Sequence, residues 1–469
     1  MVARTRCRSR GRLVTAGQVQ PARRVALDVI RAVSDSDAYA NLALPVALDR
    51  AGLSGADAAL ATELTYGTLR GLGYYDAVIA LAAARATSEI DPAILDVLRL
   101  GAHQLLSMRV ATHAAVDESV SLARVVGSRS ATGFVNAVLR TITRTPVEEW
   151  RSRVSATAKT EDDRLALQFS HPSWVVRAFR SALAAEGREH ELESLLSADN
   201  DAPRVTLAAL PGLAETNELN GAEPARYSPF AATSAGGDPA RWSAVREGRA
   251  RVQDEGSQLA ALALSRARAI AAGEEWLDLC AGPGGKTALL AAEGMPHGVT
   301  VTANEVIPAR AKLVRNAVAA FEAPPAVLER DGREFEASHM TRFDRVLVDA
   351  PCTGLGALRR RPEARWRKQP RDVPELTKLQ GELLDSAVAA TRPGGLIAYV
   401  TCSPHRAETT AVVADAVKRH GLTQLDTPAV LSAIVREPLD LGDALHAQLW
   451  PHRHGTDAMF IALLERPAQ

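Results

Sequence analysis

Cysteine is scarce in this chain. Four occur in 469 residues, none in CxxC spacing, which speaks against a disulfide framework and against a zinc site. No apolar run approaches the roughly 20 residues of a membrane-spanning helix. The N-terminus, "MVARTRCRSRGRLV", lacks the apolar core of a secretory signal, so a cytoplasmic protein is expected, with neither membrane nor metal among its partners. No acid precedes Asp28, whereas Arg4, Arg6, Arg8, Arg10, Arg12, Arg23 and Arg24 do. Residues 1–20 therefore read as a basic, solvated tail, hidden within a formal net charge of zero.

What is present is a soluble globular composition, 46% apolar and 23% charged, in a chain too long for one hydrophobic core. Residues 21–145 read as helices only. "DPAILDVLRLGAHQLL" opens with Asp91 as N-cap and Pro92 at the first helical position, then spaces Ile94, Leu98 and Leu105 on one face. Residues 146–255 read as a helical connector followed by a small α+β module with strand-like "RVTLAAL" and "RARVQD". From 256 to 469 short apolar runs alternate with helical patterns, the signature of an α/β, Rossmann-like domain with a parallel sheet covered on both faces. The late run "AMFIALLER" predicts a final strand. Ligands in such sheets sit beyond the carboxyl ends of the strands, where this sequence puts Asp278, Glu305, Asp349, Cys352 and Cys402.

"DLCAGPGGKT", 278–287, follows a strand and opens a helix. A Walker loop needs glycine where Cys280 stands, and the dinucleotide fingerprint needs its third glycine where Thr287 stands. What remains is a turn that backbone can bring close to a ligand. Glu305 ends the next strand about 20 residues on, placed to accept both ribose hydroxyls. Asp331, after the strand beyond, is placed for an adenine amino group. Adenosine without a phosphate grip points to S-adenosylmethionine. The bland alternative is that both acids cap the helices after them.

Two further runs, "LVDAPCTGLG" and "GLIAYVTCSPH", each stop at a cysteine, Cys352 and Cys402. Carbon 5 of cytosine cannot be methylated directly; a thiolate added to carbon 6 turns carbon 5 into a nucleophile. An Asp near ring nitrogen 3 fits the accompanying need if it shares a proton there. Exocyclic amine methylation needs no nucleophile, and its enzymes carry Asp/Asn-Pro-Pro-aromatic where this chain has Asp349-Ala350-Pro351-Cys352. One strand-end cysteine is often a small buried hydrophobe; two at such positions are not readily explained that way. Spacing leaves the two thiols interchangeable. A free thiol is only a few per cent thiolate near neutral pH, and Lys286, His405 and Arg406 stand as candidates to lower its pKa. The side chain of Cys280 is assigned to packing, and Cys7 to the tail.

These motifs, in this order, resemble those of the Sun/Fmu (RsmB-type) NOL/NOP/Sun family of RNA 5-methylcytosine methyltransferases; "SHPSWVV" and "VQDEGSQ" match further signatures of it. The helical region 21–145 resembles the NusB-like RNA-binding domain of bacterial members. The resemblance implies a methyl transfer from S-adenosylmethionine to a cytosine of 16S ribosomal RNA. It implies Cys402 as nucleophile, Cys352 in product release, Asp349 on the target base and Lys286 between cofactor and substrate. Cofactor contacts are implied for Cys280, Ala281, Gly282, Pro283, Gly284, Gly285, Lys286, Glu305, Arg310, Asp331 and Asp349. Many relatives have Asp where this chain has Glu305, a longer acid that still reaches ribose hydroxyls. From composition rather than resemblance, "LRRRPEARWRKQPR" suggests that Arg359, Arg360, Arg361, Arg365 and Trp366 grip RNA by phosphate contact and stacking. The rival readings are the same chemistry on transfer RNA or another ribosomal RNA, and a catalytically silent RNA-binding protein.

Overall fold

The computed structural model describes residues 19–36, 38–335 and 342–468. All but the end of the expected basic tail, Cys7 included, lies outside these residues. The chain clusters into two compact units that divide between Pro172 and Ser173.

The first unit is helical: α1 (Pro21–Ser36), α2 (Ala40–Arg50), α3 (Gly55–Arg70), α4 (Leu72–Ala83), α5 (Pro92–Leu106), α6 (Thr112–Val126), α7 (Arg129–Thr143), α8 (Val147–Ser155) and α9 (Glu161–Gln168). Helix α5 starts as its sequence predicts. Asp91 accepts the Ile94 N–H at 3.2 Å, Pro92 needs no donor partner there, and Ile94 and Leu98 are buried. Helix α7 buries Val135, Val138, Leu139 and Ile142, the i, i+3, i+4, i+7 stripe of a core-facing helix. Trp150 and Val154 of α8 enter that same core, and the Trp150 indole donates to the Ile142 carbonyl at 3.0 Å. Helix α8 is thus an integral part of this unit rather than a spacer.

The second unit carries two sheets. A small antiparallel one joins β1 (Val205–Ala209), β2 (Ala222–Pro224), β3 (Ala231–Ser234) and β4 (Ala250–Val252) in the order β2-β3-β1-β4. The large one contains β5 (Glu275–Asp278), β6 (Thr300–Asn304), β7 (Ala326–Leu328), β8 (Phe343–Asp349), β9 (Thr391–Thr401), β10 (Thr423–Gln424), β11 (Ala447–Gln448) and β12 (Phe460–Glu465). Its order is β7-β6-β5-β8-β9-β12-β10, with β11 beside β12. Strands β5 to β9 are parallel, whereas the predicted final strand, β12, runs antiparallel to β9, so the sheet is mixed. The order reverses between β5 and β8, which opens a crevice at their carboxyl ends.

Successive residues of the central strands face opposite cores. Trp276, Leu347, Ala398 and Val400 pack with the helices Glu255–Arg266 and Gly285–Gly294 on one face. Leu277, Val346, Val348, Ile397 and Tyr399 pack with Val373–Ala390 and Thr410–His420 on the other. Burial on both faces is why these strands read as continuous apolar runs. The exception, Arg345, is fully buried in β8, pairs with Glu274 at 2.7 Å and donates to the carbonyls of Leu264, Ser265, Arg268 and Ala269. It thereby satisfies the carbonyls at the end of the Glu255–Arg266 helix, which would otherwise be buried without donors. No helix among the described residues is long and apolar enough to cross a membrane.

Candidate active site at the strand ends

Asp278 and Asp349 end β5 and β8, Glu305 follows β6, and Cys402 follows β9. The parallel pairing of β8 with β9, Asp349 opposite Val400, brings the two cysteine loops side by side. Cys352 Sγ lies 3.5 Å from Cys402 Sγ, both thiols partly buried. Across from them, Lys286 Nζ stands 2.7 Å from Asp349 Oδ2. Lys286 reaches in from the first turn of the helix that the glycine loop opens.

That loop needs its glycines. Gly284 has φ +99°, a left-handed conformation, and a Cβ there would lie 2.6 Å from Ala317 Cβ. A Cβ on Gly282 would lie 2.3 Å from Glu305 Oε2, so only glycine lets the loop backbone approach this carboxylate. The Gly282 N–H donates to Glu305 Oε2 at 3.1 Å, the Ile307 N–H donates to Oε1 at 3.0 Å, and Arg310 donates to the Gly282 carbonyl at 2.6 Å. Glu305 is therefore held in one orientation at the rim of the loop, and each oxygen keeps an acceptor position for a hydroxyl. Asp331 accepts the Arg333 N–H at 3.0 Å and pairs with its exposed guanidinium at 2.5 Å. Asp331 does cap the short helical turn Gly332–Glu334, as the bland alternative has it, whereas the helix Pro308–Val318 after Glu305 has Ile307 as its N-cap and no side-chain cap bond.

The charges around the thiols are unequal. Burial disfavours the Lys286 ammonium, but Asp349 outweighs it and holds the group protonated. The hydrogen bond from Cys352 pushes the Cys402 thiol down; burial and Asp349 oppose this, and Lys286 assists. Cys352 moves the other way, well up, through its bond to Cys402, through burial and through the charge of Glu408. Burial, with Asp278, Asp349 and Glu305 nearby, also raises Cys280, whose side chain packs against the sheet core as expected. His405 uses its Nδ1 to accept the Ala407 N–H at 3.2 Å, and burial lowers its pKa, so it offers no cation. Arg406 is exposed. Of the three candidates, Lys286 is the one whose charge lowers Cys402. Asp278, fully buried, accepts the Thr287 hydroxyl at 2.7 Å and is pushed up to about 7 by burial.

The basic cluster after Cys352 requires a correction. Arg365 is wholly buried, donating to Asn200 Oδ1 at 2.9 Å and the Asp199 carbonyl at 3.3 Å. Arg359 is buried and donates to the Gly455 carbonyl at 2.9 Å. Arg360 grips Asp457 at 3.0 Å and Asp254 at 2.5 Å. These three hold the fold together and do not form a surface for RNA; Arg361 is exposed and Trp366 half-buried. A basic run reads as solvated only when no acid reaches it, and here the acids arrive from distant segments.

Glu408 went unremarked in the sequence. It is fully buried and binds Thr353, Ser403 and Gln380, so it joins the loop after Cys352, the loop after Cys402 and the helix Val373–Ala390. A carboxylate shortly after "TCS" was the available signal; Gln380 offered none.

Comparison with known proteins agrees with this architecture. Residues 20–144 match the NusB family, and residues 267–465 match the family described as 16S rRNA methyltransferase RsmB/F. A protein of Mycobacterium tuberculosis (strain ATCC 25618 / H37Rv) named "Putative methyltransferase Rv1407" is 52% identical over 453 residues, 96% of this chain and 97% of that one. The "Ribosomal RNA small subunit methyltransferase B" of Enterobacter sp. (strain 638) is 31% identical over 386 residues, 80% of this chain and 85% of that one. In fold, the crystal structure of PH0851 is similar at TM-score 0.79 and 24% identity, over 96% of this chain and 99% of that one.

Proposed function

From the premise that the chain belongs to the RsmB/F family of S-adenosylmethionine-dependent rRNA methyltransferases, we propose that it methylates carbon 5 of a cytosine in 16S rRNA through a covalent bond to Cys402. The observation that carries this reading is the pair of thiols 3.5 Å apart at neighbouring strand ends, across from the Lys286–Asp349 pair. Methylation of an exocyclic amine has no use for such a pair. The NusB-like helices and the second unit divide the work between holding RNA and transferring the methyl group.

The glycine loop from Cys280 to Lys286, with Glu305, Arg310, Asp331 and Asp349, would hold S-adenosylmethionine. The fit rests on the Gly282 backbone, brought against a Glu305 carboxylate that keeps acceptor positions for two ribose hydroxyls. Asp331, now paired with the exposed guanidinium of Arg333, would take the adenine amino group once that pair opens. When bound, S-adenosylmethionine supplies an electrophilic methyl group.

Cys402, as the thiolate, adds to carbon 6. The proton shared by Lys286 and Asp349 meets the charge that develops at nitrogen 3. After carbon 5 has taken the methyl group, it loses its proton to water, and the electron pair of that C–H bond re-forms the carbon 5–carbon 6 double bond as the carbon 6–sulfur bond breaks. The electron pair of the carbon 6–sulfur bond leaves on Cys402 in that same elimination, and the Cys402 thiolate receives the Cys352 S–H hydrogen bond again. The target base must be unpaired or flipped, because a thiol reaches carbon 6 only from the face of the ring.

Bisulfite sequencing of 16S rRNA incubated with the protein and S-adenosylmethionine tests the proposal, with transfer RNA run alongside. Cys402→Ala is expected to abolish both the product and any covalent RNA adduct. Cys352→Ala is expected to accumulate the adduct. Full activity in Cys402→Ala would remove its role as nucleophile, adduct loss in Cys352→Ala alone would exchange the two roles, and modification of transfer RNA alone would replace the substrate.

A further inference from the structure

A pair of thiols sharing one proton can carry its negative charge on either sulfur, and the groups around this pair decide which. Glu408 is the unexplained one. Its Oε1 accepts the Thr353 N–H at 2.8 Å and the Gln380 amide at 3.2 Å; its Oε2 accepts the Thr353 hydroxyl at 2.5 Å and the Ser403 hydroxyl at 2.7 Å. Four polar contacts on two oxygens fill the acceptor positions of a carboxylate, and Thr353 Oγ1 also lies 3.0 Å from Ser403 Oγ, so the two hydroxyls and the acid form one network. The Gln380 amide also donates to the Pro351 carbonyl at 2.8 Å, and the Tyr399 hydroxyl donates to the Glu408 carbonyl at 2.8 Å. One buried side chain therefore fixes the residue after Cys352 to the residue after Cys402, and its donors are all neutral groups.

Charge acts on the thiols from opposite sides. Glu408 repels a thiolate at Cys352, as the Cys402 thiolate itself does. Lys286 favours a thiolate at Cys402, against Asp349 and Asp457. The separation between the sulfurs, 3.5 Å, suits a single S–H···S bond, with the proton on whichever sulfur is the weaker acid.

We infer that Glu408 is a positioning residue for the methyl transfer: it clamps the two thiol loops together and keeps their shared proton on Cys352, so that Cys402 carries the charge. Its purpose, though not its effect on the thiols, rests on the cytosine chemistry proposed above. Exchange of the two sulfurs' roles is what this carboxylate prevents.

The test uses the full chain without RNA or cofactor. Iodoacetamide is added from about pH 6 to pH 9, and alkylation of each cysteine is followed by peptide mass spectrometry. In the unaltered protein Cys402 should react ahead of Cys352. Glu408→Gln removes the charge and sets an amide N–H against existing donors; the ratio of the two rates should fall by about tenfold, the effect of roughly one pKa unit. An unchanged ratio in a folded Glu408→Gln protein, judged by circular dichroism, overturns the inference. Should that variant not fold, Cys402→Ala leaves Cys352 alone beside Glu408. Its alkylation midpoint should then lie above the ordinary thiol value of about 8.5, and a midpoint at or below it overturns the inference. The two readings fail separately. A ratio unmoved by Glu408→Gln while bisulfite sequencing finds 5-methylcytosine removes this inference and leaves the cytosine chemistry standing. A ratio that falls as expected while no 5-methylcytosine forms upholds the effect of Glu408 on the thiols and removes the cytosine chemistry.

Discussion

Of the three candidates the sequence offers, Lys286 is the one whose charge helps the Cys352 hydrogen bond to lower the Cys402 thiol, because His405 caps a turn and Arg406 faces outward. A positive charge near a thiol stabilises the thiolate, so removing it raises the thiol pKa and thins the reactive form at any pH below that value. Lys286→Met should therefore move the acid limb of the kcat/KM profile to higher pH and lower the rate near pH 7 by about tenfold or more. Lys286→Arg, which keeps the charge, should hold the limb nearer its original place. An acid limb that stays put in Lys286→Met would assign the thiol's activation elsewhere. The sequence named Lys286, His405 and Arg406 as equals, because spacing past a strand end does not say where a side chain turns. It named both thiols for the opposite reason: each directly follows a run that could only be a buried strand. Glu408 escaped notice since its partners, Thr353, Ser403 and Gln380, meet only when β8 and β9 pair and a helix folds over them.

The loop after β8 is held against the loop after β9 by backbone as well as by Glu408. The Gly356 N–H donates to the Cys402 carbonyl at 2.8 Å, and the Ala458 N–H donates to the Gly356 carbonyl at 2.9 Å. A Cβ on Gly356 would sit 2.0 Å from the Ala458 carbonyl oxygen, which is backbone and unable to rotate away. Gly356→Ala is expected to destabilise the protein by about 2 kcal/mol or more and to part the thiols. Urea unfolding reads the first effect, and loss of the difference in alkylation between Cys402 and Cys352 reads the second. A variant of ordinary stability would mean that the loop shifts freely. At this scale the sequence was readable wherever burial is uniform: β5, β6, β8 and β9 declare themselves as apolar runs covered on both faces. The direction of β12 was not readable, since a strand's residues are alike whichever way it runs. Nor was the burial of Arg359, Arg360 and Arg365, whose partners lie near Asp199, Asp254 and Asp457, far along the chain.

Across the second unit the buried acids set two opposing dependences of stability on pH. Glu274 is held down at about 2: burial opposes its charge, but Arg345, the Ala271 N–H and the Trp276 indole outweigh it. An unfolded Glu titrates near 4.3, so this contribution, about 3 kcal/mol at most, is present above that pH and lost as pH falls toward 2. Asp278 does the reverse. Burial raises it to about 7, against about 3.9 in an unfolded chain, so the folded state holds a proton that the unfolded state has lost. Its contribution is complete below about pH 4 and disappears as pH rises to about 7, a change of about 4 kcal/mol at most. Asp278 by itself therefore lowers the stability of the ligand-free unit between pH 5 and pH 7, as does Asp199, which burial raises to about 7. His454, which burial lowers to about 4, acts the other way below about pH 6.5. Asp278→Asn keeps an acceptor for the Thr287 hydroxyl and removes the titration, so its slope over that interval should be shallower by up to about 1.4 kcal/mol per pH unit. Hydrogen exchange of the β5 and β8 amides in urea, measured at several pH values, follows this unit by itself. Equal slopes in the two proteins would show that Asp278 is ionised in the fold. The site would then hold Asp278 and Asp349 as two negative charges against the single ammonium of Lys286.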